Sequence, residues 1–348
     1  MSQWLITGAT GFIGQVLVKE WLRSVGRPEQ ALILLVRNRS KLEHVFVKQG
    51  LDLRDPRVQV VEGDLHQTEN LRPWVSKLHG VVHLAGCVSA HARETFDRVN
   101  FEGTYRLHQL LKQQTALGQI KWIQVSSIAA NGPVHLVDSE RDPSRDQDHP
   151  ISWYGRSKFK ADAYLRSHHP SHQRVIVRPP VVFGEVDRAW IPFMKILLKG
   201  WMPVWKGRVI PYFSMIDERT LVKVLLALMA RGQPHSQTLY PTLNEPVHWN
   251  QLMRVWKDLL LGPKRSIRSF PVYPVCLKPL EIVLSVASRF KAMGEGLPLT
   301  SDKVREMRHS HWVKDGGRQV EALGVGVPAQ AGDEWKRCIE AWRSQGVI

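Results

Sequence analysis

A chain of 348 residues, 43% apolar and 23% charged, has the composition of a folded globular protein and excludes a disordered or collagen-like polymer. Its 48 Lys and Arg against 32 Asp and Glu give a net charge of +16, which suits nucleic acid, anionic lipid or a phosphate-bearing ligand without choosing among them. Three cysteines, Cys87, Cys276 and Cys338, are an odd number with no short metal-type spacing, so neither a disulfide framework nor a metal site is expected.

The first strand-like run starts at Gln3 with no charged and apolar leader before it, which predicts a cytoplasmic protein. Short, often β-branched runs follow at 4–7, 31–36, 58–61, 81–84, 122–125 and 175–177, the pattern of strands buried on both faces. Amphipathic stretches at 11–24, 103–114 and 154–167 alternate with them. A βαβα rhythm of this length predicts an α/β fold with a doubly wound parallel sheet, and ligands at the carboxyl ends of its strands. After Arg178 the rhythm breaks. Helix-like runs at 191–198 and 220–230 are mixed with Pro- and Trp-rich connections, and the tail shows no regular alternation. The expected division is therefore a dinucleotide-type domain over 1–185 and a smaller, interleaved C-terminal substrate lobe over 186–348. The apolar stretch 272–290 is interrupted by Pro274, Lys278, Pro279, Glu281 and Arg289, so it falls short of the about 20 apolar residues of a membrane span.

The segment TGATGFIG, Thr7 to Gly14, sits between the first strand and the first helix. Gly8 permits a tight turn, Gly11 lets backbone approach a pyrophosphate and Gly14 lets the helix pack close to the sheet; Thr10, Phe12 and Ile13 complete the helix N-terminus facing the phosphates. At the end of the second strand, where a carboxylate would bind the 2'-hydroxyl of NAD, the chain reads Arg37-Asn38-Arg39. Two guanidinium groups suit a 2'-phosphate, so NADP(H) is expected in preference to NAD(H). Asp64, after the third strand, is placed either to accept from an adenine amino group or simply to close a turn.

Tyr154 and Lys158 lie four apart on a helix-like stretch and project from one face. An ammonium beside a phenol stabilises the phenolate and brings proton exchange closer to neutrality. Upstream, the Ser126-Ser127 pair closes the fifth strand and offers a hydroxyl to hold a carbonyl oxygen.

In this order the motifs resemble the extended short-chain dehydrogenases/reductases: TGATGFIG, Asp64-Leu65, His83-Leu84-Ala85-Gly86, Val99-Asn100 with Gly103-Thr104, Val125-Ser126-Ser127, Tyr154-Gly155-Arg156-Ser157-Lys158 and Arg178-Pro179-Pro180 to Gly184. The likeness covers about the first 185 residues, with weaker similarity at Phe213 to Asp217 and Trp312 to Gly324. It implies a Rossmann fold, Tyr154 as general acid or base, Lys158 as its pKa-lowering partner and ribose ligand, and Ser127 as the substrate-oxygen donor. It also implies a proton-relay or strand-tying role for Asn100. Leu65, Leu84, Ala85, Gly86 and Pro179 would line the cofactor, residues 138–148 would loop over the site, and the protein would be a homodimer.

Three departures within the resemblance narrow the reaction. Ser127 is followed by Ile128 and Ala129 rather than the Asp-Glu pair of sugar-nucleotide dehydratases. The run Ala189-Trp190-Ile191-Pro192 lacks the amide of the epimerase Asn-Leu-x-Pro element, and the NAD carboxylate is missing. The expected function is an NADP(H)-dependent oxidoreductase acting on a small, apolar or lipid-like molecule, similar to the 3-beta-hydroxysteroid dehydrogenase and dihydroflavonol reductase branch. Trp190, Phe193, Trp201, Trp205, Tyr212 and Phe213 would stand on the substrate side or in the core. The competing readings are a sugar-nucleotide epimerase and, from another class, a non-catalytic dinucleotide sensor or RNA-binding relative; the intact Ser127, Tyr154 and Lys158 set argues against the sensor and against nucleic acid as partner. Residues 186–348 hold 24 basic and 14 acidic side chains, and Lys264, Arg265, Arg268, Arg289 and Lys291 flank the 272–290 stretch. Peripheral contact with an anionic membrane and a soluble enzyme with a basic face are both open on this pattern.

Overall fold

The computed structural model describes residues 2–24, 30–114, 116–134, 148–207, 210–231, 238–243, 245–289, 300–328 and 331–348. In the first half, β1 (Ser2–Thr7), α1 (Phe12–Ser24), β2 (Gln30–Val36), α2 (Arg39–Lys48), β3 (Val58–Glu62), α3 (Arg72–Val75) and β4 (Leu78–His83) follow one another. Next, α4 (Arg93–Phe96) runs through a single wide π-type turn at Asp97–Glu102 into α5 (Gly103–Gln114), followed by β5 (Lys121–Val125), α6 (Trp153–His168), β6 (Arg174–Val177) and β7 (Val181–Phe183). The second half contains α7 (Ile191–Leu198), β8 (Trp201–Trp205), β9 (Tyr212–Phe213), β10 (Met215–Asp217), α8 (Glu218–Ala230), β11 (Thr238–Leu239) and β12 (Val247–His248). It closes with α9 (Trp249–Leu261), β13 (Arg268–Val272), α10 (Leu277–Arg289), α11 (Ser301–Met307), β14 (His311–Trp312), α12 (Gly317–Glu321) and α13 (Ala331–Ser344).

Seven strands form one parallel sheet in the order β11-β6-β5-β4-β1-β2-β3. The alternation of side chains divides its core. Trp4 and Ile6 of β1 point to the face covered by Val16, Leu17 and Trp21 of α1 and by Leu221 to Met229 of α8, whereas Leu5 points to the face covered by Leu107, Leu110 and Leu111 of α5 and Leu165 of α6. Because β1 has β2 on one side and β4 on the other, the chain reverses direction across the sheet at β1, and the crevice at its carboxyl end is where a doubly wound sheet binds ligand.

Residues beyond 185 contribute to both cores. Ile216, α8, Leu239, Val320 and Val325 pack on the sheet, while a second core gathers Phe183, Met194, Leu197, Trp205, Phe213, Trp249, Trp256, Trp335 and Trp342. The tail is regular where no pattern was expected. Trp249, Leu252, Met253, Trp256 and Leu260 form the buried stripe of α9, and Trp335, Cys338, Ile339 and Trp342 that of α13, both at helical spacing. Trp205 and Phe213 are therefore core rather than substrate-facing, and Trp190 packs edge-on against Trp256 and Trp335, 5.3 and 6.0 Å between ring centres. Of the 272–290 stretch, residues 272–289 are the end of β13, a turn and α10. Among the described residues no helix is long and apolar enough to cross a membrane.

Candidate active site

The glycine-rich turn follows β1 directly. Gly8 has φ +75°, and a Cβ there would lie 2.7 Å from the Ala85 nitrogen, so the turn and the end of β4 meet only because position 8 has no side chain. A Cβ at Gly14 would stand 2.2 Å from the Gly8 carbonyl oxygen, which lets α1 begin pressed against the turn with Gly11 exposed at its mouth. The turn is further fixed by Thr7, whose Oγ1 accepts from the Ala85 N–H at 3.1 Å and contacts His83 Nδ1 at 2.8 Å. His83 Nε2 lies 3.0 Å from Thr104 Oγ1, which spends its own proton on the Asn100 carbonyl. The ring therefore donates through Nε2 and accepts at Nδ1, and burial, followed by the Lys158 charge, pushes its pKa down to about 3, so it stays neutral.

A dinucleotide fits this turn: it is stripped of Cβ atoms where a pyrophosphate would approach, and α1 follows with no acid in its first turn. At the end of β2, Arg37 and Arg39 are both exposed; Arg39 Nε donates to Glu43 at 3.2 Å, and Asn38 caps α2 by accepting from the Lys41 N–H. Thr10, Phe12, Ile13, Leu84 and Ala85 are half-buried around the mouth and Gly86 is exposed in it. The three other expected cofactor residues also make contacts within the chain. Asp64 Oδ1 accepts from the His66 N–H at 2.9 Å in its own turn, the Leu65 side chain is buried in the core against Gly103, and Pro179 is buried with its carbonyl accepting from the Ile128 N–H at 3.0 Å.

Beside the turn, β5 ends in two serines with opposite surroundings. Ser126 is buried and its Oγ donates to Asp162 at 2.8 Å; Asp162 also pairs with the fully buried Arg178 at 2.9 Å, and Arg178 Nη2 reaches Asp148 at 3.0 Å. Ser127 is half-buried, accepts from the Ala129 N–H at 3.1 Å and stands close enough to the Tyr154 phenol to lower its pKa. Burial raises the Tyr154 pKa above that of an ordinary phenol, against the pull of Ser127, and Glu306 adds to the rise. Lys158 Nζ donates to the Val125 carbonyl at 2.7 Å, and burial pushes its pKa down to about 8. The phenol thus stands above its ordinary value rather than below it, because burial outweighs the neighbouring Ser127 hydroxyl, while the Lys158 ammonium is bonded to the end of β5.

Asn100 lies in the wide turn between α4 and α5. Its Oδ1 accepts from the Cys87 N–H at 2.7 Å, and its Nδ2 donates to the Cys87 carbonyl at 3.0 Å and to Ser157 Oγ at 2.9 Å. The amide ties the loop after β4 to α6, with no proton-relay partner among these contacts. Residues 138–147 of the expected covering loop, and Lys291, lie outside the described residues.

Several supporting groups escape sequence reasoning. A Cβ at Gly155 would stand 2.2 Å from the Ala129 carbonyl oxygen, so only glycine lets α6 press against the Ser127 turn. Ser152 caps α6, accepting from the Gly155 N–H at 2.9 Å and donating to Glu306 at 2.7 Å. Asp302 of α11 accepts from the backbone N–H groups of Trp153 and Tyr154 at 2.7 and 3.0 Å. Ser152 alone had a readable signal, as an N-cap residue before a helix.

Three comparisons bear on this geometry. Residues 6–225 match an NAD-binding family model described as Male sterility protein. Ceramide reductase from Caulobacter vibrioides (strain NA1000 / CB15N) is 26% identical over 350 residues, covering 98% of this chain and 94% of that protein. The Bos taurus sterol-4-alpha-carboxylate 3-dehydrogenase, decarboxylating, is 26% identical over 273 residues, 73% of this chain and 69% of that protein. A solved structure of UDP-glucose 4-epimerase from Thermotoga maritima with UDP-glucose matches at a TM-score of 0.70 and 17% identity, covering 99% of each chain, a likeness of fold. With a family model spanning well over half its length and a seven-stranded parallel sheet behind the glycine-rich turn, the chain belongs to the NAD-binding Male sterility protein family, within the extended short-chain dehydrogenases/reductases.

Proposed function

We propose that the protein is an NADP(H)-dependent oxidoreductase that interconverts a carbonyl and a secondary alcohol on an apolar, lipid-like substrate. The observation that carries this reading is the gathering of Ser127, the Tyr154 phenol it acts on and Lys158, bonded to the end of β5, at the carboxyl edge of the sheet, with Ile128 and Ala129 where a dehydratase has its acid pair. Gly8, Gly11 and Gly14 with the α1 N-terminus hold the pyrophosphate, Arg37 the 2'-phosphate and Lys158 the nicotinamide ribose. When bound, reduced nicotinamide supplies a hydride equivalent to the carbonyl carbon.

Ser127 and Tyr154 hold the carbonyl oxygen between two hydroxyls, and Tyr154 gives it a proton as charge builds on that oxygen. Lys158 stabilises the phenolate left behind. The lipid-like substrate is supported by the names ceramide reductase and sterol-4-alpha-carboxylate 3-dehydrogenase, and by the similarity to the former over nearly the whole of both chains.

The test is NADPH oxidation in the presence of long-chain ketones, sterol ketones and ketoceramides, followed by the Tyr154→Phe variant. Turnover is lost in the variant while its NADPH affinity, measured by fluorescence titration, stays close to that of the wild type. An active Phe variant refutes the assignment of Tyr154. Stabilisation by UDP-sugars together with co-purifying NAD identifies an epimerase instead.

A further inference from the structure

We infer that the outer face of α10, with the turn that precedes it, is a docking surface for an anionic lipid bilayer. Helix α10 is amphipathic in an unusual sense, because both of its faces carry apolar side chains. Its inner face is accounted for: Leu277 is buried, Leu280 and Leu284 pack on the second core, and Glu281 pairs with Arg305 at 2.9 Å and Arg308 at 2.6 Å. These four positions share one helical stripe. On the other side Ile282 and Val283 are 57% and 61% exposed, and in the preceding turn Tyr273 and Val275 are 46% and 75% exposed. Four large apolar side chains within eleven residues thus face outward, a cluster rather than the scattered exposure of an ordinary surface.

The charges around this face choose its occupant. Segments 195–207 and 258–285 carry Lys195, Lys199, Lys206, Lys264, Arg265, Arg268 and Lys278, all exposed, against only Asp258 and Glu281. Both carboxylates are neutralised by neighbours, Asp258 by Lys257 and Glu281 by the two arginines of α11. Lys206 sits beside Tyr273, since its N–H donates to the Val272 carbonyl at 2.9 Å, and Arg268 lies over the half-exposed Trp201 ring at 5.6 Å. A second copy would bring the same positive charge to the contact and be repelled. A bilayer with acidic headgroups satisfies both features at once: the apolar side chains enter the boundary between headgroups and acyl chains, Tyr273 and Trp201 suit that boundary, and the lysines and arginines meet phosphates.

The surface stands one helix away from the site. Helix α10 is joined by Glu281 to α11, and α11 holds the N-terminus of α6, which carries Tyr154, through Asp302. Resting on the lipid-like substrate proposed above, this places the reacting groups next to the phase in which such a substrate is dissolved.

The experiment is co-sedimentation of the full chain, without substrate, with phosphatidylcholine vesicles containing phosphatidylglycerol and with pure phosphatidylcholine vesicles, at low and high salt. The protein should sediment with the anionic vesicles and be released by salt. Ile282→Glu with Val283→Glu should lower the apparent affinity at least about tenfold, with the melting temperature and NADPH titration unchanged because both side chains are exposed. Lys206→Glu with Lys278→Glu should weaken binding and flatten its salt dependence. Absence of binding to anionic vesicles, or retention of wild-type binding by both double variants, overturns the inference. A concentration-dependent dimer that is lost in the Ile282→Glu, Val283→Glu variant, without vesicle binding, assigns the face to a second copy. Because no substrate is present, failure here leaves the reductase reading standing, and absence of turnover leaves vesicle binding to be judged alone.

Discussion

Replacing Asp302 with Asn separates the holding of Tyr154 from the stability of the fold. Asp302 is buried, and its carboxylate accepts from the Trp153 and Tyr154 N–H groups at 2.7 and 3.0 Å, with Arg305 at 3.4 Å. Burial raises its pKa, against the pull of those two N–H groups, so the charge is not itself a net source of stability. An Asn keeps one acceptor but turns an NH2 toward the second N–H, a loss of about 1–2 kcal/mol. Removing the buried charge offsets most of this, leaving a net change within about 1 kcal/mol and a melting shift of about 3 °C or less. The first turn of α6, however, loses the clamp that sets the phenol. A displacement near 1 Å lowers turnover by about a hundredfold, and a partial shift by about tenfold. Steady-state kinetics with calorimetry should therefore show kcat down about 10- to 100-fold with NADPH affinity and melting temperature close to the wild type. Asp302→Ala leaves two backbone donors without their acceptor and should also destabilise, by about 3 kcal/mol. Wild-type kcat in the Asn variant refutes the reasoning.

Arg37→Ala should raise the NADPH dissociation constant at least about tenfold and leave that of NADH unchanged, measured by fluorescence titration; equal effects on both refute a 2'-phosphate contact. NADPH affinity should fall as pH rises through about 8, where Lys158 loses its proton, and Lys158→Met should remove that step. Glu218 has a folded pKa raised by burial from 4.5 to about 7, so the folded state binds the extra proton between these values and the contribution is favourable at acid pH and lost as pH rises toward 7. Urea midpoints from pH 5 to 8 should carry that slope, and Glu218→Gln should flatten it. Gly155→Ala should destabilise by about 1–3 kcal/mol and impair turnover, since the added Cβ meets the Ala129 carbonyl.

The sheet was legible because parallel strands buried on both faces are written as short β-branched runs. The six expected runs each lie within or overlap β1 to β6, whereas β11, only Thr238–Leu239, is too short to leave a pattern. Tyr154 and Lys158 were legible because a helix converts a spacing of four into one face. The stripes of α9 and α13 were also present in the sequence. Four of their nine buried positions are tryptophans, which read as part of Pro- and Trp-rich connections until the helices are placed against each other. Asp302 had no local signal, since its partner N–H groups are 149 and 148 residues away and belong to the backbone. The phenol's environment was equally closed to sequence, because the burial that raises its pKa follows from packing and not from spacing.

The supports of α6 explain why one site draws on both halves of the chain. Its N-terminus is held by Asp302 and Glu306, Gly155 by contact with the Ser127 turn, Ser157 by Asn100, and Asp162 by Ser126 and Arg178. Three of these four supports come from the sheet and its loops, and are in place whenever the sheet is folded. The fourth comes from α11, which is anchored through Glu281 to α10 and through α10 to the second core. The position of Tyr154 is consequently set by two packing units at once. Asp302 and Glu306 are the support of α6 that the sheet does not supply, and through α11 they tie the acid to the second core.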